Sequence, residues 1–224
     1  MVSRWQYIKS FLVEIPIETI RNSDTNALHV TLRNGRLMLS TDYTIYSYDD
    51  KYMNFVWGLQ KLRSLEGHSV LILGLGLGAI PYILEHKFKR TYHFTAIEIN
   101  PDVVRLAQRH SLPRLESTVD VICADATSYI FRLSEPFDFI FIDICQEDNI
   151  PAGAENLQFI KHLKTLIKPK GTLLYNRFYS TYKDQFMTDR FYDNVFKKVF
   201  TKAALIDQNG TCLLVHDKER IYTG

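Results

Sequence analysis

Residues 69–85 read "SVLILGLGLGAIPYILE": an apolar run, three glycines (Gly74, Gly76 and Gly78), then an apolar pattern at helical spacing. An unbroken apolar run of this length reads as a buried strand. Glycines after such a strand let the backbone turn in left-handed conformations and approach a ligand closely. The same G-x-G-x-G spacing also serves tight strand–helix packing for steric reasons alone. The ligand must therefore be argued from what stands at the ends of neighbouring strands.

Downstream of this stretch, strands and helices alternate. Strands are expected at 69–74, 93–97, 119–123, 137–143 and 171–176, with helices at 101–110, 156–167 and 183–199. This alternation implies right-handed β-α-β units and a parallel sheet with helices on both faces. The segment "KAALIDQNGTCLLVHD" breaks the pattern, because two strand-like runs flank Asn209-Gly210, a hairpin signal. One antiparallel strand is expected there, beside the strand at 171–176. Upstream, "ALHVTLRNGRLMLSTDYTIYSYD" alternates apolar and polar residues around Asn34-Gly35, a second hairpin. "DDKYMNFVWGLQKL" then predicts a helix over 49–62 with acidic residues at its start. The expected organisation is a small β-rich appendage over 1–49 and a larger α/β domain over 50–224.

Composition narrows the function classes. The 224 residues are 46% apolar and 23% charged, ordinary for a globular chain. Twenty-seven basic residues against 25 acidic ones give a net charge of +2, without basic clusters, which argues against nucleic acid. Cys123, Cys145 and Cys212 lack paired spacing, and the seven histidines form no ligand cluster, so neither a disulfide framework nor a metal site is expected. The opening residues are interrupted by Glu14 and Pro16, a poor signal peptide, and no stretch suits a membrane span. A cytoplasmic protein is expected.

Ligands of open α/β sheets bind beyond the carboxyl ends of the strands. Four clusters stand there: the glycines Gly74, Gly76 and Gly78; Glu98 with Ile99 in "AIEINPDVV"; Asp125 with Ala126 after "VDVIC"; and Asp143, closing "FDFIFID". A carboxylate such as Glu98, 24 residues beyond Gly74, can accept both hydroxyls of a ribose. Asp125 can accept from an adenine amino group. Each acid alone is more ordinarily a solvated charge or a cap, but in order at successive strand ends they read as an adenosine site. "GLGLGA" also fits the dinucleotide pattern G-x-G-x-x-A. The C-terminal hairpin and the acids after the third and fourth strands favour an S-adenosylmethionine-type domain instead.

At this point the sequence resembles a family. From about residue 28 to 215, "VTLRNGRLML", "VLILGLGLGAI", "AIEINPDVV", "ICADA", "FDFIFID" and "IPAGAENLQFIKHLKTLIKPKGTLLYN" resemble the spermidine synthase (aminopropyltransferase) family, a branch of the class I methyltransferase fold. The resemblance implies a seven-stranded, doubly wound, mostly parallel Rossmann-like sheet with a C-terminal antiparallel hairpin, carrying a small N-terminal β-rich appendage. It also implies a homo-oligomer, here expected to be a homodimer. Its small-molecule chemistry would use S-adenosylmethionine or its decarboxylated form as cosubstrate, held by the glycine loop, Glu98 and Asp125-Ala126.

The sequence departs from that family where its chemistry lies. The family carries an acid in the glycine loop, where Leu77 stands, and a second acid in the turn after the fourth strand, where Gln146 follows Asp143. Glu147 and Asp148 stand close enough to substitute only if the loop shifts, and solvated loop acids are the ordinary case. An amine nucleophile must lose its proton to attack, and an ammonium facing leucine lacks an ion pair. Asp143 is then the one candidate catalytic acid. The expected activity is methyl transfer to an unspecified acceptor. Aminopropyl transfer is the alternative, and a noncatalytic nucleoside-binding protein the third. Intact S-adenosylmethionine is expected to place its carboxylate on backbone N–H groups of the glycine loop. Tyr46, Tyr48, Tyr52 and Tyr175 are candidates for the acceptor pocket, with core packing as the ordinary use of each.

Overall fold

The structure, a computed structural model, describes residues 2–22, 25–145, 149–208 and 210–222. Among these residues, eleven strands form two sheets. A short helix, α1 (Arg4–Lys9), precedes a four-stranded antiparallel meander of β1 (Ile15–Asn22), β2 (Thr25–Arg33), β3 (Arg36–Ser40) and β4 (Ile45–Tyr48). Asn34 and Gly35 turn β2 into β3 with φ of +51° and +70°. Left-handed conformations at both positions are what the tight hairpin turn requires, and Asn-Gly tolerates them.

The larger sheet holds β5 (Ser69–Leu73), β6 (His93–Glu98), β7 (Thr118–Cys123), β8 (Phe137–Ile142), β9 (Ile167–Phe178), β10 (Ala204–Asp207) and β11 (Thr211–Val215), in the order β10-β11-β9-β8-β5-β6-β7. The five strands from β9 to β7 run parallel, while β11 is antiparallel to both neighbours, with Leu214 opposite Tyr175. The expected antiparallel strand is therefore present beside β9. Of the Asn209-Gly210 turn, Asn209 lies outside the described residues, and Gly210 has φ of +114°.

Alternation along β5 shows why its sequence is apolar throughout. Val70 and Ile72 belong to one buried cluster, Leu71 and Leu73 to another on the opposite face. A parallel strand covered on both sides has no solvent face for polar residues. The first face is covered by α2 (Met53–Lys61), α3 (Ala79–Tyr82) and α4 (Pro101–Leu106). The second is covered by α5 (Ala126–Tyr129), α6 (Leu157–Thr165), α7 (Tyr182–Phe191) and α8 (Lys197–Val199). No helix among the described residues is long and apolar enough to cross a membrane.

The starts of α2 and β9 differ from expectation. Residues 49–51 form a separate 3-10 turn, and α2 starts only at Met53. The acids at 49 and 50 hold side chains rather than a helix end. Asp49, 1% exposed, accepts from both terminal nitrogens of Arg114 (2.9 and 2.6 Å) and from the Leu37 N–H (2.9 Å). This pair ties the small sheet to the segment after α4. The last parallel strand, β9, begins at Ile167 rather than 171, because the chain re-enters the sheet opposite Phe137 before a break in register.

We propose residues 1–49 and 50–224 as the two units of the chain, joined by one continuous core. Leu28, Val30 and Leu39 of the small sheet share a buried cluster with Phe55, Leu77 and Ile80. The small sheet thus forms one side of whatever lies above the glycine loop.

Candidate functional site

The strand order of the large sheet reverses between β5 and β8. Loops leaving two such strands diverge, and a crevice opens beyond their carboxyl ends. A cavity of about 530 Å³ lies there, within the range of small-molecule sites. Its wall brings together Gly74 and Gly76 after β5, Glu98 and Ile99 at the end of β6, Asp125 and Ala126 after β7, and Asp143 after β8. Gly78 is not on this wall. It precedes α3 with φ of +84°, and a Cβ there would lie 3.1 Å from Leu112 Cδ2.

The two wall glycines are demanded by close approach. Gly74 has φ of +90°, and a side chain on it would run into the Asp143 carbonyl. Gly76 has φ of +55°, and a Cβ would sit 3.1 Å from Ser47 Cβ on β4. Glycine therefore lets both β8 and the small sheet close on this loop. Thr41 and Thr44 of the β3–β4 connection, with Ile45 and Tyr46 of β4, consequently reach the cavity wall.

Glu98 faces the loop from β6. Its carboxylate accepts from the backbone N–H groups of Leu75 (3.0 Å), Gly76 (3.3 Å) and Asn100 (3.0 Å). A carboxylate offers about four lone-pair positions, so this arrangement leaves one, where the expected acceptance of both hydroxyls of a ribose needs two. It also corrects the expectation for the far end of the ligand. The loop N–H groups of Leu75 and Gly76 are already given to Glu98, so they are not free to hold a donor's carboxylate. Asp125 caps α5, accepting from the Thr127 N–H and hydroxyl, each at 2.9 Å.

Asp143 is the most perturbed acid of the site. Burial pushes its pKa up to about 6, with the nearby Glu98 charge adding to the rise, while hydrogen bonds from Asn176 and Tyr52 oppose it. Asn176 Nδ2 donates to Asp143 Oδ1 at 2.8 Å, and Asn54 Nδ2 reaches Asn176 Oδ1 at 3.5 Å. The Tyr52 hydroxyl is raised well above its ordinary range by burial and then by the Asp143 charge, so it stays a donor. The carboxylate is thus oriented from two sides.

Of the four tyrosines considered, Tyr46 and Tyr52 line the cavity. Tyr48 donates to the Arg33 carbonyl, and Tyr175 is fully buried with its hydroxyl on the Ala154 carbonyl. Leu77 is also absent from the wall, being 1% exposed in the core beneath the small sheet. Gln146, Glu147 and Asp148 lie outside the described residues. Among the described residues, no group of three or more His, Cys, Asp or Glu is arranged to hold a metal ion.

Comparison with known proteins agrees with this fold. A family model described as a methyltransferase domain matches residues 71–175. A polyamine aminopropyltransferase of Vibrio vulnificus is 27% identical over 169 residues, covering 72% of this chain. The chain spans 56% of that relative's length. Among solved structures, a probable spermidine synthase of Corynebacterium glutamicum superposes with a TM-score of 0.70 at 15% identity, covering 89% of this chain and 80% of that one. Human methyltransferase-like protein 13, solved in complex with SAH, gives 0.63 at 20% identity, covering 78% and 85%. The fold is a spermidine-synthase-like class I methyltransferase fold.

Within this fold, the wall also holds residues that the sequence did not single out as site candidates. Asn176 and Arg177 lie near the end of β9, one strand over from Asp143. The strand-end rule applied to the fifth parallel strand would have selected Asn176. Arg177 was hidden because the strand was expected to stop one residue before it. For Glu98 the expected result is specific. Glu98→Gln weakens binding of S-adenosylmethionine or its thioether product by roughly 1–3 kcal/mol, the range for charged hydrogen bonds. Calorimetry on a variant with normal melting checks this, and unchanged affinity would return Glu98 to a purely loop-capping role.

Proposed function

We propose that this chain is an S-adenosylmethionine-dependent transferase, and a methyltransferase rather than an aminopropyltransferase. The observation that carries the reading is the single cavity gathering Gly74, Gly76, Glu98, Ile99, Asp125, Ala126 and Asp143 from four strand ends. Glu98 takes a ribose hydroxyl, Asp125 and Ala126 take the adenine end, and Asp143 serves the reactive end. Bound there, the donor supplies an electrophilic carbon on sulfonium. The residues of the chain align the acceptor and manage its proton. With a pKa near 6, Asp143 is ionised at neutral pH and still basic enough to accept a proton, the compromise general bases use.

Support for methyl over aminopropyl transfer comes from charge. The decarboxylated donor ends in an ammonium, and polyamine acceptors are polycations. Leu77 is in the core, so the glycine loop presents no acid to either. The charged residues on the described wall are Glu98, Asp125, Asp143 and the cationic Arg177. Aminopropyl transfer is the second reading, favoured by the Vibrio vulnificus relative.

The test is product analysis by mass spectrometry. The protein is incubated with either donor and a panel of amine, hydroxyl and carboxyl acceptors. Methylated product from the intact donor is expected. Aminopropylated product from the decarboxylated donor would overturn the choice, and no product from either would leave a binding protein.

A further inference from the structure

Residues 2–13 include Arg4 and Lys9 and no acid. Most of their apolar side chains stand in solvent. Trp5 is 81% and Leu12 87% exposed, and Tyr7, Ile8, Phe11 and Val13 are open beside them. No residue of α1 is buried. The turn continues past α1, with the Phe11 N–H on the Ile8 carbonyl and the Leu12 N–H on the Lys9 carbonyl. Trp5, Ile8 and Leu12 therefore recur at helical spacing along one side. Single exposed apolar residues are ordinary, whereas a contiguous group marks an interaction surface.

The chain holds this group in place. A capping box of Ser3 and Gln6 starts α1. At the other end, the buried Ser10 accepts from the Asn34 N–H on its carbonyl (2.8 Å) and from the Gly35 N–H on its hydroxyl (2.9 Å). The Tyr7 ring lies against Gly35, where a Cβ would come within 2.6 Å of it. A helix of six residues has little stability alone, so these contacts to the β2–β3 turn fix it with its apolar side chains outward. That turn is at the end of the small sheet opposite the connection carrying Thr41 and Thr44, and no residue of α1 lines the cavity.

Charge decides the occupant. Arg4 and Lys9 are exposed, and the next acid along the chain, Glu14, faces Arg33 at 3.9 Å. A second copy packed on this patch about a two-fold axis would bring like charges together. An anionic surface meets the same cations favourably. Trp, Phe and Leu beside Arg and Lys is also the composition of helices that lie in a membrane interface. We propose that α1 and the turn after it dock this protein on an anionic lipid surface. The contact is peripheral and leaves the cavity open.

The test is co-sedimentation of the full chain with vesicles of phosphatidylcholine, alone or mixed equally with phosphatidylglycerol. Binding to the anionic vesicles is expected to exceed binding to the neutral ones about tenfold or more, and to weaken with added salt. Trp5→Ser combined with Leu12→Ser lowers binding to the anionic vesicles about tenfold or more. Arg4→Gln combined with Lys9→Gln removes the preference for anionic over neutral vesicles. All four positions are exposed, so the variants should melt as the natural protein does. In Trp57→Phe, Trp5 is the one remaining tryptophan, and its emission shifts to the blue on anionic vesicles. No binding to either vesicle, equal binding to both, or binding left unchanged by either pair of substitutions overturns the proposal. Self-association without vesicle binding, lost in the Trp5→Ser, Leu12→Ser variant, also overturns it and assigns the patch to a second copy.

Discussion

Asp143→Asn is expected to lower turnover by about 10²–10⁴-fold, the range for removing a positioned acid–base group, with the fold retained. Asparagine keeps an oxygen for the Asn176 amide, now 2.8 Å from Asp143 Oδ1, but cannot take a proton. In the natural protein the rate should rise with pH through about 6, where Asp143 ionises. Turnover of the variant within about threefold of the natural protein would reduce Asp143 to a structural role.

The same substitution has a stability signature. Asp143 titrates near 6 in the folded chain against an ordinary 3.8. The folded state therefore holds the extra proton, and stability falls as pH rises between about 4 and 6. His216 acts the other way. Burial lowers its pKa to about 4 from 6.5, with the Leu173 N–H donating to Nδ1 at 3.1 Å. The unfolded state then binds the proton, and stability rises between about 4 and 6.5. The two slopes oppose each other over a shared window. Removing Asp143 should leave the His216 slope exposed, so urea midpoints of Asp143→Asn should climb more steeply with pH than those of the natural protein. Parallel profiles would show that Asp143 is not held in a desolvated place.

Leu77→Asp is expected to destabilise the chain by at least about 3 kcal/mol, because it empties a packed site and buries an unpaired acid. At 1% exposure, Leu77 is packed in an apolar cluster with Leu28, Val30 and Phe55. Leu77→Met, which keeps the volume, should cost less than about 1.5 kcal/mol. Denaturant midpoints of the two variants decide it. A well-folded Leu77→Asp with a new preference for the decarboxylated donor would place residue 77 on the cavity wall after all.

That contrast shows where sequence reading succeeded and why it stopped. The apolar run of β5 and the glycines after it fixed a covered parallel strand, since no polar residue interrupts either face. Asn34-Gly35 gave the first hairpin because few other residue pairs accept two left-handed positions. The wall acids were legible because they obey one geometric rule, that functional groups stand at strand ends. Burial beyond the strand ends was not legible. Leu77 and Gly78 lie within the same loop as Gly74 and Gly76, yet Leu77 packs in the core and Gly78 abuts Leu112. The small sheet settles this by closing over the loop at Ser47 and Tyr46, a contact between residues almost 30 positions apart. Nor does any local pattern announce that Asp49 will meet Arg114, or that Glu98 will turn back onto the loop.

The central claim, an adenosyl site built for an intact sulfonium donor, is tested most directly by calorimetric titration of S-adenosylmethionine against its decarboxylated form. With Leu77 in the core, the glycine loop offers no carboxylate to the decarboxylated donor's ammonium. The intact donor carries its own carboxylate beside the ammonium and arrives with that charge compensated. We expect the intact form to bind at least about tenfold more tightly, about 1.4 kcal/mol, and to do so in one-to-one ratio. Equal or tighter binding of the decarboxylated form would contradict the account and make aminopropyl transfer the better reading.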